Sequence, residues 1–296
     1  MQQEPPLIIY SNKTMKPVSK EDRPVLFLDS GIGGIPYCRH FCERNTREKI
    51  VYLADRLHFP YGNRKREELA EILTSLVEQI IEMYNPKIAV LACNTATLAA
   101  LSGLRNKFPK LPFVGTVPAV KPAVLASKTG RIGVLGTELT INDPYIRELA
   151  AQFGSCEITG IAAPELVELA ENRLESLSAE ERKTIANNYL DRFREAGADV
   201  IVLGCTHFLF FLEDFRQAAV PDITVFESVD GISHRIGSLL DEFNSKEQPE
   251  EQNNEKQIRT PCNQYSFLLT GSSAPEPSWI NWADRLGFSL LLLEKR

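Results

Sequence analysis

Two short motifs place a cysteine beside polar side chains: Cys93-Asn94-Thr95 and Cys205-Thr206-His207. Each motif follows a β-branched run and precedes a helical pattern, so each thiol is expected near a helix N-terminus. Unpaired N–H groups and the helix dipole lower the pKa of a thiol there, which favours the reactive thiolate. A single cysteine in this position is as often a buried packing residue. Two cysteines in matching positions predict a pair of acid/base groups that act on one substrate.

Polar residues also follow the first predicted strand, in the motif Asp29-Ser30-Gly31-Ile32-Gly33-Gly34. The glycines let the backbone turn tightly and approach a ligand, and Asp29 or Ser30 could hold an ammonium or carboxylate group. The spacing differs from the dinucleotide-binding fingerprint. In the second cysteine motif, His207 could orient Cys205, accept its proton or bind a carboxylate.

Two further groups of residues are weaker candidates, because turn formation alone could explain them. Asp55 and His58 precede Pro60-Tyr61-Gly62, a turn signature at the edge where another predicted strand ends. Gly136-Thr137 and Thr140 occupy the matching edge of a later strand. Their placement beside the cysteine motifs makes both groups candidates for ligand contact.

The elements that must position these motifs alternate between strands and helices. The predicted strands cover residues 25–29, 50–54, 87–92 and 112–115 in a first set, and 131–135, 157–161, 200–204 and 224–227 in a second. Helical patterns between them include residues 66–83, 179–196 and 231–243. Such alternation predicts an α/β fold with two similar parallel-sheet α/β domains that face each other across a central cleft. Ligands bind beyond the carboxyl ends of strands in sheets of this kind.

The strand sets also suggest domain limits. Residues 24–117 together with 228–296 are predicted to form the first domain, and residues 118–227 the second. Residues 1–23 are polar and proline-bearing, which predicts a flexible N-terminal extension. Residues 244–263 are charged, amide-rich and nearly free of apolar side chains, which predicts a mobile insertion in the first domain.

Composition narrows the classes of function. The formal net charge of −6 argues against broad binding to nucleic acid or to anionic membranes, since both need a dense positive face. Hydrophobic residues make up 43% of the chain, enough for a sizeable core, yet no apolar run reaches the roughly 18 residues of a transmembrane helix. Six cysteines and no recognisable secretory signal predict reduced thiols in a cytoplasmic protein.

Five motifs in a fixed order resemble those of the glutamate racemase family, within the larger aspartate/glutamate racemase group. They are Asp29-Ser-Gly-Ile-Gly-Gly, Asp55 with Pro60-Tyr-Gly, Cys93-Asn-Thr, Gly136-Thr with Thr140, and Gly204-Cys-Thr-His. The resemblance runs from residue 25 to about residue 243 and resumes at residue 265. Each motif is modest alone, but the ordered set is highly specific. This chain departs from the family at His58, where relatives commonly have arginine.

The resemblance implies a role for each matching residue. Cys93 and Cys205 are implied to be the catalytic bases, Cys93 for D-glutamate and Cys205 for L-glutamate. Asp29, His207 and Glu171 are implied to assist the thiols, although pattern alone places Glu171 on a solvated helix face. The implied substrate-binding residues are Asp29, Ser30, Tyr61, Gly62, Asn94, Thr95, Thr137, Thr140, Thr206 and His207. The family implies no cofactor and no metal, a homodimer, and a supply of D-glutamate for peptidoglycan.

Racemisation of an amino acid removes the Cα proton from one face and returns a proton to the other. Two groups on opposite walls suit this reaction if each reaches Cα at hydrogen-bond range. The motifs hold no lysine for a Schiff base, so N–H groups and hydroxyls are expected to hold the α-carboxylate as charge grows on it. Three alternatives stay open: a racemase of aspartate or another small amino acid, a metal-dependent hydrolase with Cys93, Cys205 and His207 as ligands, and a non-catalytic amino-acid-binding module.

Overall fold

The computed structural model describes residues 8–9, 23–245 and 265–293 of the chain. The strands are β1 (Ile8–Ile9), β2 (Val25–Asp29), β3 (Ile50–Ala54), β4 (Ile88–Leu91), β5 (Phe113–Gly115), β6 (Arg131–Gly136), β7 (Glu157–Ala162), β8 (Val200–Leu203), β9 (Thr224–Phe226), β10 (Tyr265–Thr270) and β11 (Ser289–Leu293). The α-helices are α1 (Ile35–Arg44), α2 (Arg66–Tyr84), α3 (Asn94–Lys107), α4 (Val120–Ala126), α5 (Glu138–Asn142), α6 (Pro144–Ala151), α7 (Pro164–Asn172), α8 (Ala179–Glu195), α9 (Leu212–Ala219), α10 (Val229–Ser245) and α11 (Pro277–Leu286). Short 3₁₀ helices cover Arg56–His58, Tyr61–Asn63 and Thr206–Phe211. Within the described ranges, no helix has the length and apolar character needed to cross a membrane.

The larger sheet has seven strands in the order β1-β11-β10-β3-β2-β4-β5, and all of its pairs are parallel. Strands β2, β3 and β4 are nearly continuous apolar runs, and every residue in them is buried. Runs of this kind are typical of parallel strands covered on both faces. Helices α1, α10 and α11 pack on one face of the sheet, and α2 and α3 pack on the other.

The smaller sheet has four parallel strands in the order β7-β6-β8-β9. Helices α7, α8 and α9 contribute to the core on one face, and α4 and α6 contribute to the core on the other. The chain therefore builds two separate α/β cores, each a sheet between two layers of helices.

The path of the chain explains why the first domain is made of two segments. The chain completes β2 to β5, crosses to build β6 to β9, and returns to add β10 and β11 to the first sheet. The predicted fold class, two parallel-sheet α/β domains, is confirmed. The domain limits at 117/118 and 227/228 stay predictions.

Two predicted segments differ in part from the structure. Ile8 and Ile9, inside the predicted N-terminal extension, pair in parallel with Leu291 and Leu292 of β11, because that strand would otherwise present unpaired backbone groups at the sheet edge. Helix α10 continues to Ser245, so the predicted insertion at 244–263 starts with two helical residues. Apart from these residues and Arg23, the predicted extension and insertion lie outside the described part of the chain.

Candidate active site

Both cysteines lie where a parallel strand ends. Cys93 follows β4 and immediately precedes α3, and Cys205 follows β8 and precedes the 3₁₀ helix Thr206–Phe211. The carboxyl ends of parallel strands are where ligands bind in sheets of this type. The two cysteines are 7% and 6% exposed, and they line the same cavity. The structure thus brings the predicted pair to one space between the two sheets.

The cavity has a volume of about 130 Å³, small beside the roughly 300–1,000 Å³ of sites for drug-sized ligands. This volume suits a ligand of the size of an amino acid. The predicted site residues that line the cavity are Ser30, Tyr61, Gly62, Cys93, Thr95, Thr137, Cys205 and His207. The predicted site residues that do not line it are Asp29, Asn94, Thr140, Glu171 and Thr206, whose side chains are buried.

Seven further residues line the cavity: Phe59, Pro60, Asn63, Glu138, Pro164, Val167 and Glu168. Two signals in the sequence could have found most of them. Phe59, Pro60 and Asn63 are contiguous with Tyr61-Gly62, so the whole segment forms one wall. Pro164, Val167 and Glu168 recur at helical spacing from Glu171 along α7, which places them on one face of that helix.

His207 connects the second thiol to a carboxylate. The imidazole Nδ1 lies 3.9 Å from Cys205 Sγ, and Nε2 lies 2.6 Å from Glu171 Oε1. Burial alone lowers the pKa of His207, but its contacts with Cys205, Glu171 and Asp29 outweigh burial and raise the pKa well above its ordinary value. A protonated imidazole beside a sulfur favours the thiolate. The Glu171 side chain is 7% exposed, so this residue is a buried acid and not a charge on a solvated helix face.

The first thiol has a different environment. Burial raises the pKa of Cys93 well above its ordinary value, and the charges of Asp29 and Cys205 act in the same direction. Hydrogen bonds from the backbone N–H groups of Ala96 and Thr95 lower the pKa but do not compensate. The N–H groups at the start of α3 therefore lower the pKa of Cys93 as expected, but burial outweighs them and the net pKa is raised. The physical reason is that removal of a thiolate from water costs more than two N–H groups return.

Asp29 ties the first sheet to the turn that carries the second cysteine. Its carboxylate is fully buried, with Oδ1 accepting the N–H of Gly31 at 2.8 Å and Oδ2 accepting the hydroxyl of Thr206 at 3.1 Å. Burial raises the pKa of Asp29, and the charge of His207 with these hydrogen bonds offsets that only in part. Asp29 therefore does not line the cavity itself, but its charge affects Cys93 and His207, which do.

Gly31 and Gly33 allow the two domains to approach closely. A Cβ atom on Gly33 would lie 2.5 Å from Nδ1 of His207, and a Cβ atom on Gly31 would overlap the carboxylate of Glu171. That carboxylate accepts the N–H of Ile32 at 2.7 Å instead. Only glycine, which has no side chain, leaves space for these groups. The two glycines therefore let His207 and Glu171 of the second domain lie against the backbone of the first domain.

A series of hydroxyl groups links the two domains beside the cavity. Oγ1 of Thr95 and Oγ1 of Thr137 are 3.0 Å apart, and Thr137 donates a hydrogen bond to Thr140 at 3.0 Å. The neighbouring Asn94 is 3% exposed, and its Oδ1 has no hydrogen-bond partner. A buried acceptor without a partner is rare in folded proteins. Asn94 therefore lies next to Cys93 with one acceptor unpaired, although it does not line the cavity itself.

The charges around the cavity limit how it can hold an anion. Among the lining residues, all in the described ranges, there is no lysine or arginine, and Glu138 and Glu168 add carboxylates. An anionic ligand would have to bind through His207, backbone N–H groups and the hydroxyls of residues such as Ser30. The part of the chain that the structure describes also contains no cluster of three or more His, Cys, Asp or Glu side chains placed to hold a metal ion.

Comparison with known proteins identifies related chains. The model of the Asp/Glu/Hydantoin racemase family matches residues 44–232. The glutamate racemase of Sphingopyxis alaskensis is 39% identical over 223 residues, which cover 74% of this chain and 83% of that protein. The crystal structure of Escherichia coli glutamate racemase in complex with L-glutamate and the activator UDP-MurNAc-Ala has a TM-score of 0.75 and 30% identity, over 92% of this chain and 98% of that chain. Glutamate racemase from Francisella tularensis in complex with D-glutamate shares the fold, with a TM-score of 0.72 and 20% identity over 92% of this chain and 98% of that chain.

The two α/β domains, with a cysteine from each in one cavity, define an isomerase of the amino-acid racemase class. The chain belongs to the Asp/Glu/Hydantoin racemase family and is of the glutamate racemase type. The family membership predicted from the five ordered motifs is confirmed.

Proposed function

We propose that the protein racemises L- and D-glutamate without a cofactor, by proton transfer between Cα and two cysteine thiols. The observation that carries the proposal is that Cys93 and Cys205 come from different domains, line one small cavity and are almost equally buried. The relatives described above support glutamate as the substrate, since one was crystallised with L-glutamate and another with D-glutamate.

The proton transfers balance as follows in the L-to-D direction. The thiolate of Cys205 takes the Cα proton of L-glutamate, and the thiol of Cys93 gives a proton to the opposite face. One C–H bond breaks and one forms, which leaves Cys205 protonated and Cys93 as the thiolate. Conversion of D-glutamate runs the same steps in reverse. The raised pKa of Cys93 keeps a proton on this sulfur for donation, and Cys205 Sγ lies 3.9 Å from Nδ1 of His207, whose pKa is raised.

The harder requirement is to stabilise the carbanion between the two proton transfers. Its charge spreads into the α-carboxylate, which must receive hydrogen bonds that strengthen as the charge grows. Ser30 and Thr95 line the cavity with hydroxyl donors, and the backbone N–H groups at the start of α3 are close to Cys93. Fixed donors in a small cavity shielded from water stabilise such charge more strongly than water does.

The proposal extends to the cellular setting. We propose that the protein works in the cytoplasm as a homodimer and that its D-glutamate serves peptidoglycan synthesis in the cell wall. Two thiols that exchange protons must stay reduced, and the cysteines in the described part of the chain are free: Cys38, Cys42, Cys93, Cys156 and Cys205. The family resemblance supports the cell-wall role and the dimer.

The test is incubation of purified protein with L- or D-glutamate in deuterated water, without added cofactor and with a metal chelator. Circular dichroism follows racemisation, and mass spectrometry follows deuterium at Cα. We expect racemisation from both enantiomers, with deuterium in the product. Activity on aspartate but not glutamate would contradict the substrate, and glutamate binding without turnover would indicate a binding module. Loss of activity with the chelator would contradict the metal-free mechanism.

A further inference from the structure

One fully buried carboxylate has no part in the two-thiol chemistry. Asp55 follows β3 and is 0% exposed, and its backbone N–H donates to the carbonyl of Asp29 at 2.9 Å. Asp55 does not line the catalytic cavity. A buried carboxylate persists when several donors satisfy its oxygens, so the groups that contact it indicate what it does.

Three side chains donate to this carboxylate. His58 Nδ1 lies 2.9 Å from Oδ1 and 2.8 Å from Oδ2, so its N–H is shared between the two oxygens. The hydroxyl of Thr270, at the end of β10, donates to Oδ1 at 2.7 Å, and the hydroxyl of Tyr61 donates to Oδ2 at 2.8 Å. Each oxygen therefore has one hydroxyl and a share of the imidazole. We call these four residues, Asp55, His58, Tyr61 and Thr270, the Asp55 cluster.

The Asp55 cluster holds one wall of the catalytic cavity. Five consecutive residues, 59–63, line the cavity, and Tyr61 belongs to both the wall and the cluster. Arg64, just beyond the wall, donates to the carbonyl of His58 at 2.6 Å, which closes the loop at its other end. At the start of the wall, the Phe59 ring lies 6.2 Å from the imidazole of His207. Movement of the loop would therefore change both the cavity and the surroundings of His207.

His58 itself is placed outside the reacting centre. Its side chain is 14% exposed and lines a separate, mainly apolar cavity with Leu57 and Thr270. It does not line the catalytic cavity, so it is not placed to exchange a proton with Cα. Burial, with Asp55 adding, raises the pKa of Tyr61 well above its ordinary value, so the phenol keeps its proton and donates it to Asp55.

We propose that His58 and Asp55 are positioning residues that fix the 59–63 wall through Tyr61 and thereby set the affinity for both enantiomers of the substrate. The inference rests on the proposed racemisation of glutamate. Without the imidazole, Asp55 keeps two donors, and the loop between β3 and α2 loses the contact between His58 and Asp55. The wall then populates positions that do not close the cavity, which weakens binding and leaves the thiols in place.

The expected result is a split between KM and kcat. Because L- and D-glutamate have equal free energies, kcat/KM must be equal in the two directions for every variant, so the individual constants carry the information. His58→Leu fills the space without donating a hydrogen bond. We expect it to raise KM about tenfold for both enantiomers, the size of one lost hydrogen bond to a charged group, with kcat within about threefold. His58→Arg restores N–H donors for the carboxylate, and we expect it to recover most of the affinity.

The matched control is His40→Leu. His40 also lies near a carboxylate, with Nε2 2.8 Å from Asp230 Oδ1, but it lies on α1 and does not line the catalytic cavity. We expect this variant to keep both constants. If His58→Leu does not fold, Thr270→Val removes a different donor of the Asp55 cluster, and Thr270→Ser should rescue it.

Several outcomes would overturn the inference. These are a His58→Leu enzyme with lower thermal stability and unchanged KM, a selective loss of kcat, or failure of both His58→Arg and Thr270→Ser to restore affinity. A wild-type protein that does not racemise glutamate contradicts the proposed function instead. In that case the dissociation constants of L- and D-glutamate, measured by calorimetry on the same variants, decide the positioning role separately: the same tenfold loss supports it, and unchanged binding rejects it.

Discussion

The two walls of the cavity place their thiols alike and surround them differently. Cys93 and Cys205 each follow a parallel strand and precede a helix, and their exposures differ by one percentage point. Cys205 is contacted by His207, whose other nitrogen is bound to Glu171, whereas Cys93 is buried near the charge of Asp29. Equal position with unequal surroundings distinguishes the two thiols: burial raises the pKa of Cys93, which favours a proton on that sulfur, whereas Cys205 has His207 beside it.

This asymmetry is compatible with a reaction that has no net direction. The two enantiomers are equal in free energy, so the enzyme must serve both, but its two free protonation states need not be equally populated. Three changes at the walls and one at the far end of β8 test the comparison, from the largest expected effect to the smallest.

The largest effect is expected from removal of either thiol. Cys93→Ala and Cys205→Ala should each lower racemisation by about 10³-fold, because general acid–base groups contribute about 10²–10⁴-fold. The remaining thiol can still remove and return a proton on its own face. In deuterated water we therefore expect Cys93→Ala to exchange the Cα hydrogen of L-glutamate only, and Cys205→Ala that of D-glutamate only, as measured by mass spectrometry. Exchange of both enantiomers by either variant would contradict opposed walls.

A smaller loss is expected from Glu171→Gln, which removes the carboxylate that supports His207. We expect kcat to fall about tenfold in both directions, since a hydrogen bond to a charged group is worth about 1.5–3 kcal/mol. The raised pKa of His207 also gives the wild type stability that is complete below about pH 6.5 and is lost as the pH rises through the folded value. Thermal melts of wild type and variant should therefore converge as the pH rises through the folded pKa of His207. A kcat of Glu171→Gln within twofold of wild type would contradict the role of the His207–Glu171 pair.

The close contact between the walls is tested by Gly33→Ala. The new methyl group would meet His207 Nδ1 at 2.5 Å, so we expect a loss of about 1–3 kcal/mol in the free energy of unfolding and a severalfold loss of kcat/KM. Gly103→Ala is the control, because a Cβ atom there meets nothing within 4 Å and Gly103 lies inside helix α3. We expect that variant to be as active as wild type and up to about 1 kcal/mol more stable. Equal stability and equal kcat/KM of the two variants would contradict the close contact between Gly33 and His207.

The smallest effect on activity is expected at the opposite end of β8. Burial would raise the pKa of Asp199, but hydrogen bonds from Ser127, Lys128 and Thr129 outweigh it and lower the pKa to about 2. Its stabilisation is therefore present above about pH 4 and is lost as the pH falls towards 2. Asp199→Asn should destabilise the protein by about 1 kcal/mol at pH 7, measured by urea denaturation, with KM and kcat unchanged. A changed KM would show that the site depends on both ends of the strand.

The paired cysteine turns and the two sheets could be predicted because their signals are local. Continuous apolar runs such as β8 mark buried parallel strands, and Cys93 and Cys205 each follow one after a single intervening residue. The pKa of Cys93 could not be predicted, since it depends on burial by residues far away in the chain. The contact of Phe59 with His207 joins two domains, and no sequence period reports such a contact.

Glu171 shows what the sequence could predict for one residue and what it could not. Helical periodicity alone left it on a solvated face, and only the family resemblance gave it a role. In the structure it accepts hydrogen bonds from His207 and from the backbone of Ile32 in the other domain. Periodicity describes one helix at a time, whereas the burial of Glu171 comes from the approach of a second domain.

The most direct test of the central claim is the rate at which each cysteine is alkylated by iodoacetamide as a function of pH, followed by peptide mass spectrometry. Because the two residues are 7% and 6% exposed, access to the reagent is nearly matched and a difference in rate reports ionisation. We predict that Cys205 reacts faster than Cys93 at pH 7, and that Cys93 becomes reactive only at strongly alkaline pH. Equal rates at neutral pH, or faster alkylation of Cys93, would contradict the account of two equivalent positions with unequal charge.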